Sequence, residues 1–161
     1  MPCETAILED VFTVNDEMLV EDALKYIHEK NVRAMPVLDK EGRLVGMFSL
    51  EALLKSLLPV AVTMEEGLQK LGFVIGAGPG IAKRLRKARL QKVSEVMLKD
   101  IVVVHKSTAL WEAIRLMVKY GSPIPVVEED NGKLIGVITE QTSMIDLERM
   151  LEELEAEEAS N

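Results

Sequence analysis

Aromatic side chains are scarce in this sequence: they make up 4% of 161 residues, and Trp111 is the only tryptophan. A core must therefore be built from Val, Ile, Leu and Met. Cysteine is almost absent as well. Cys3 alone excludes an internal disulfide and fits a reducing cytoplasm. With two histidines, His28 and His105, far apart in sequence, no zinc constellation can be assembled. His28 stands among Lys25 and Glu29 on a helical stretch and reads as solvated, whereas His105 follows a strand and reads as a turn residue.

Long hydrophobic runs are also missing. Leu57–Met64 is broken by Pro59, and Leu71–Ile81 contains Gly and Pro; both fall short of the ~20 apolar residues that cross a bilayer. The opening Met-Pro-Cys-Glu has no basic region followed by an apolar stretch, so no secretory leader is expected. These features predict a soluble, cytoplasmic protein without a membrane partner. A net charge of −8 repels nucleic acid on average, so nucleic acid is not an expected partner either. No nucleophile with a neighbouring base is legible, and the chain is read as a non-enzyme with no required cofactor and no metal.

What is present is a folded composition, 48% hydrophobic and 29% charged, organised by an internal repeat. Asp10-Val11-Phe12-Thr13-Val14 returns ninety positions later as Asp100-Ile101-Val102-Val103-Val104. Glu21-Asp22-Ala23-Leu24 matches Trp111-Glu112-Ala113-Ile114, and Met35-Pro36-Val37-Leu38-Asp39 matches Ile124-Pro125-Val126-Val127-Glu128. Gly42-Arg43-Leu44-Val45-Gly46-Met47-Phe48-Ser49 then parallels Gly132-Lys133-Leu134-Ile135-Gly136-Val137-Ile138-Thr139, with both glycines kept.

Each copy reads as one β-α-β-β-α unit. A short strand (11–14, 101–104) leads into a helix whose apolar residues share a face by three-to-four spacing. These are Leu19, Ala23, Leu24 and Ile27 in one copy, and Leu110, Ala113, Ile114 and Met117 in the other. Strands near 35–38 and 44–48, then 124–127 and 134–138, flank turns of hairpin chemistry, and a second helix (50–58, 140–154) closes each copy. About fifty residues cannot bury such a sheet alone, so the two copies are expected to pack together.

This ordered set resembles the CBS domain, named for cystathionine beta-synthase. The motifs that carry it are the hydrophobic strand, a helix with an early Ala, Pro-Val-Leu-Asp or Pro-Val-Val-Glu, a Gly turn, and Gly-hydrophobic-x-Ser/Thr. The resemblance places one repeat at 3–58, an insertion at 59–92, a second repeat at 93–150, and an acidic helix end and tail at 151–161. It implies an α/β fold in which two tandem repeats form a pseudo-twofold, disc-like pair, with a helical insertion between them. It further implies a homodimer, and clefts between the repeats that take an adenosyl regulatory ligand such as AMP, ADP, ATP or S-adenosylmethionine. Such a sensor would signal to an effector protein. By position, the resemblance assigns ligand contacts to Ser49, Thr139, Arg33 and Ser122. Pocket lining falls to Ile7, Phe12 and Met47, and to Met97, Val102 and Val137. These apolar residues also suit the core of any such pair, and Ser49 and Thr139 also suit helix caps.

The family's ligand-binding members carry Asp three residues after the Ser/Thr. Here Ala52 and Thr142 stand there. Losing charge-assisted bonds of ~1.5–3 kcal/mol to the ribose hydroxyls predicts adenosyl binding weaker by one to two decades. A ligand-free dimerisation or protein-interaction module is the alternative reading.

The insertion is unusual. Thr63-Met64-Glu65-Glu66 is a capping-box pattern that predicts a helix over about 64–71. Gly76-Ala77-Gly78-Pro79-Gly80 predicts a chain break, and its glycines match no phosphate-binding fingerprint. Residues 81–92 then read as a basic helix carrying Lys83, Arg84, Arg86, Lys87, Arg89 and Lys92, with Ile81, Leu85 and Ala88 on one face. Its expected counterpart is the acidic C-terminal helix, within the chain or across a dimer. Trp111 reads as partly core and partly an anchor for dimer contacts.

Overall fold

A computed structural model describes residues 1–58 and 78–161. The helix expected over 64–71 lies outside the described residues. The chain divides into two compact units. Each holds the body of one repeat, but neither follows the repeat boundaries.

The first unit comprises Thr13–Lys40 and Val45–Ile101. Strand β1 (Val14–Asn15) runs parallel to β2 (Ala34–Leu38), pairing Val14 with Val37, and β3 (Leu44–Ser49) completes the order β1-β2-β3. Helix α1 (Val20–Lys30) lies between β1 and β2 in sequence. It buries Val20, Ala23 and Ile27, a three-then-four spacing, and stops where Asn31 adopts the left-handed conformation that Asn tolerates better than most residues. Leu19, expected on the buried face, is instead the residue that precedes the first turn. Helices α2 (Leu50–Leu57), α3 (Gly78–Ala88) and α4 (Val93–Val96) follow. Phe48, Met35 and Val37 from the strands, Leu53 and Leu57 from α2, Ala88 from α3 and Val93 from α4 make one apolar core.

The start of α3 departs from the sequence expectation. Gly78-Pro79-Gly80, expected to belong to a break, forms its first turn, while Gly76 and Ala77 lie outside the described residues. The first-turn amides of a helix have no partner inside it, so proline's missing N–H costs nothing there. The helix ends at Ala88, and Lys92, expected on it, instead precedes α4 and pairs with Glu17 at 2.6 Å.

The second unit comprises Val102–Asn161 together with Met1–Phe12 and Glu41–Leu44. Helix α5 (Leu110–Tyr120) buries Leu110, Ala113 and Met117. Strands β4 (Ile124–Val127) and β5 (Leu134–Ile138) are antiparallel, with Val126 opposite Gly136, and helix α6 runs from Glu140 to Ser160, past its expected end at 154. A single turn of 3₁₀ helix at Cys3–Ala6 packs on α5 and α6, where Cys3 and Ala6 join the core. Asp146, buried on α6, fixes that turn by accepting from the Thr5 hydroxyl at 2.8 Å and from Arg149 at 2.9 Å. The first hairpin turn joins this unit too: the Leu44 N–H donates to the Gly132 carbonyl and the Leu134 N–H to the Gly42 carbonyl.

The strands expected over 11–14 and 101–104 shrink to Val14–Asn15 and to one parallel bridge between Val104 and Val126. Upstream of each, a residue of the same leading segment takes a partner in the other repeat. Leu8 pairs with Val137, and Leu98 with Met47. Each repeat's leading segment therefore closes the sheet edge of the unit built on the other repeat.

Candidate functional site

The two closing helices start from the same local chemistry. Ser49 is extended and its hydroxyl accepts the Ala52 N–H at 3.0 Å, capping α2. Thr139 does the same for α6 through the Thr142 N–H at 3.0 Å, and the Thr142 hydroxyl returns the favour by accepting the Thr139 N–H at 3.0 Å. Both candidate ligand hydroxyls are thus helix caps, each satisfying an amide that the helix itself leaves free. Capping uses one lone pair of a hydroxyl and leaves further hydrogen-bonding capacity.

Immediately upstream, each strand meets the other repeat's leading segment by two reciprocal bonds. In the second unit the Leu8 N–H donates to the Val137 carbonyl at 2.8 Å, and the Val137 N–H to the Leu8 carbonyl at 3.0 Å. In the first unit Met47 and Leu98 exchange the same pair at 3.0 and 2.9 Å. The approach requires the preceding glycines. A Cβ on Gly46 would lie 2.6 Å from the Leu98 carbonyl oxygen, and one on Gly136 would collide with the Leu8 carbonyl and with Ile7. Gly46 with Leu98 in the first unit, and Gly136 with Leu8 in the second, thus form the structural heart of each unit's candidate site. Leu8 and Leu98 carry no sequence signal of this role. The glycines do, through their retention in both copies.

The predicted residues are brought together in an exchanged order. Ile7 stands with Gly136, Val137 and Thr139 in the second unit, while Met97 stands with Gly46, Met47 and Ser49 in the first. The sequence repeat pairs Ile7 with Met47 and Met97 with Val137. The exchange follows from the crossing of the leading segments. Arg33 is held beside α2, because its carbonyl accepts the Leu50 N–H at 3.3 Å, and its side chain is exposed. Phe12 is 41% exposed, Val102 is half-buried and Ser122 is exposed, so none of these belongs to a unit's packed core. Ala52 is buried under its cap and Thr142 half-buried, with neither offering a carboxylate.

An open depression of about 350 Å³ in the second unit is lined by His105, Lys106, Ser107, Glu128, Glu129 and Asp130, among others. His105 sits in the turn before α5: its N–H donates to the Thr108 hydroxyl, and its ring Nδ1 is 3.0 Å from the Val127 carbonyl. The Ser107 hydroxyl donates to Glu129. None of the predicted site residues lines it. His28 is exposed on α1. Among the described residues no group of three His, Cys, Asp or Glu side chains can hold a metal, and no helix is long and apolar enough to cross a membrane. Burial pushes the Cys3 thiol above its ordinary range, and its Sγ–H donates to the His105 carbonyl at 3.3 Å.

Two like units, each with a glycine-tight strand edge leading into a hydroxyl-capped helix, define a tandem module of the α/β class. The chain belongs to the CBS domain family, whose model matches residues 5–59 and 93–142. It is similar to chloroplastic CBSX1 of Arabidopsis thaliana, 30% identical over 135 residues, 81% of this chain and 56% of that protein. An uncharacterized protein of Methanocaldococcus jannaschii is 25% identical over 132 residues, 82% of this chain and 34% of that protein. The chain thus spans well under two thirds of these two relatives. The crystal structure of CBSX2 from Arabidopsis thaliana matches with a TM-score of 0.70 at 28% identity, covering 94% of this chain and 96% of that one. CBSX2 has also been solved in complex with AMP, and that structure matches with a TM-score of 0.68 at 27% identity over 92% and 97% of the two chains.

Proposed function

We propose that this CBS-pair module is a sensor that binds an adenosyl-type ligand, AMP, ADP, ATP or S-adenosylmethionine, and signals the bound state to an effector protein. The observation that carries this reading is the likeness to CBSX2, a chain of matching extent that has been crystallised with AMP. The duplicated Ser49 and Thr139, still with hydrogen-bonding capacity beyond their caps, and the cation of Arg33 support it. A ligand alters such a module only through its differential affinity for two arrangements. Binding is weak in this reading, because Ala52 and Thr142 replace the ribose-accepting carboxylate.

A titration of the purified chain with AMP, ADP, ATP and S-adenosylmethionine tests it by calorimetry or thermal shift. Saturable stabilisation by one of them is expected, and a flat response at millimolar ligand sinks the sensor. Ala52→Asp restores a carboxylate at the third residue of α2 and should tighten AMP binding by about ten- to a hundredfold, the equivalent of one charge-assisted bond. An unchanged affinity would show that this helix start does not meet the ribose.

A second reading, a ligand-free assembly module, is favoured by apolar exposure on the packed pair α5 and α6. Trp111 is 68% exposed and Val118 84%, with Met144 and Ile145 also outside the core. This exposure removes Trp111 from the core and leaves it free as an anchor.

A further inference from the structure

Two features of opposite charge, on α3 and on the distal half of α6, make few ion pairs among the described residues. Helix α3 and the residues after it carry Lys83, Arg84, Arg86, Lys87 and Arg89, with no acidic residue between Gly78 and Lys92. Its apolar residues Ile81, Leu85 and Ala88 pack on the first unit's core, which turns the cations outward. Arg84 donates to the Leu57 carbonyl at 3.3 Å, while Lys83, Arg86, Lys87 and Arg89 make no ion pair among the described residues. Two leucines are exposed on the same elements, Leu90 just beyond α3 and Leu54 on α2, the helix against which α3 packs.

The distal half of α6 is the complement. From Glu148 onward it carries six glutamates against the single cation Arg149, which bonds Asp146 and Glu153. Residues 151–160 are exposed throughout, so ten residues of helix, about 15 Å at the helical rise, stand clear of the core. Leu147, Leu151 and Leu154, spaced four and three apart, form an exposed apolar seam beside the glutamates. Such a helix end is unfavourable alone. Its last turn has no basic residue to oppose the negative pole of the helix, and Glu148/Glu152 and Glu153/Glu157 repel at i,i+4. Two copies of this seam facing each other would oppose glutamate to glutamate.

We propose that the acidic distal half of α6 docks on the basic outer face of α3 in a second copy of this chain. The cations neutralise the glutamate face and the α6 terminus, and Leu151 and Leu154 cover Leu54 and Leu90. In a twofold pair each copy gives one helix and receives one, so the contact is made twice. This proposal is independent of ligand binding.

Sedimentation velocity on the full chain and two charge-reversed variants tests it. One variant carries Lys83→Glu, Arg86→Glu and Lys87→Glu, the other Glu152→Lys, Glu155→Lys and Glu158→Lys. The unaltered chain should be dimeric at about 50 mM salt and dissociate toward about 0.5 M, where screening shortens to a few ångströms. Each variant alone should be monomeric, with an unchanged circular dichroism spectrum. Mixed in equal amounts they should form a heterodimer, because both contacts again join opposite charges, with a dissociation constant within about tenfold of the unaltered pair. Variants that stay dimeric would assign assembly to other surfaces and overturn the proposal. So would folded monomeric variants that fail to associate on mixing. A monomeric chain whose α3 cations instead bind DNA or anionic vesicles would overturn it too.

Discussion

Gly46→Ala probes whether the crossing segment truly sits on the strand edge. The new Cβ would lie 2.6 Å from the Leu98 carbonyl oxygen, 2.6 Å from Met97 Sδ and 2.9 Å from Met97 Cγ. The methionine side chain can swing away. The carbonyl cannot, because it accepts the Met47 N–H, so relief of the clash pulls Leu98 off β3 and breaks both reciprocal bonds. Overpacking costs ~1–3 kcal/mol and each lost backbone bond ~1 kcal/mol, a total of about 3–5 kcal/mol. For a chain of this size that lowers Tm by roughly 6–20 °C. Urea unfolding followed by circular dichroism reads the change directly. Gly80→Ala is the control: nothing lies within 4 Å of its added methyl and its φ is ordinary, so a gain of about 0.4–1 kcal/mol is expected from the stiffer unfolded chain. If Gly46→Ala cost less than about 0.5 kcal/mol, far below what overpacking demands, the tight strand contact would be refuted.

Three further outcomes follow from the same geometry. Thr139→Ala removes the cap of α6 and should lower unfolding free energy by about 1–2 kcal/mol, with Thr139→Ser near neutral; equal losses for both would point away from capping. Arg33→Ala should weaken AMP and ATP more than adenosine in a calorimetric titration, and an equal loss for all three would show that this cation does not meet phosphate. Cys3, whose thiol burial holds above its ordinary pKa, favours its neutral form in the folded state. Its stabilisation is whole below the unfolded thiol's value of ~8.5 and is lost as pH rises through the higher folded value. Stability should therefore fall more steeply above that point than in Cys3→Ala, and identical slopes in pH-dependent urea unfolding would contradict the buried thiol.

The repeat was legible because its parts are local. The continuously apolar strands, the three-to-four spacing of Leu110, Ala113 and Met117, and the Gly turns each depend on neighbours a few residues away, and these elements formed as those patterns require. The Ser49 and Thr139 caps were legible for the same reason, since a cap needs only the amide three residues on. Misreadings arose where local rules compete. Gly78-Pro79-Gly80 carries the signature of a break, yet a first helical turn tolerates the same residues. Val11 and Phe12 have the composition of a strand, but the pairing with β2 covers only Val14 and Asn15, and upstream it is Leu8 that pairs, with Val137 on β5.

By itself the sequence determined the duplicated β-α-β-β-α pattern, its apolar core, its capped closing helices and its family, because these rest on composition and short-range spacing. Tertiary structure alone decided which residues share a site. Ile7 meets Gly136 across more than a hundred residues of chain, and Met97 meets Gly46, because each unit completes its sheet edge with the other repeat's leading segment. No local pattern encodes that exchange. It follows from edge-strand pairing and from the two positions where a missing Cβ lets one backbone lie against another.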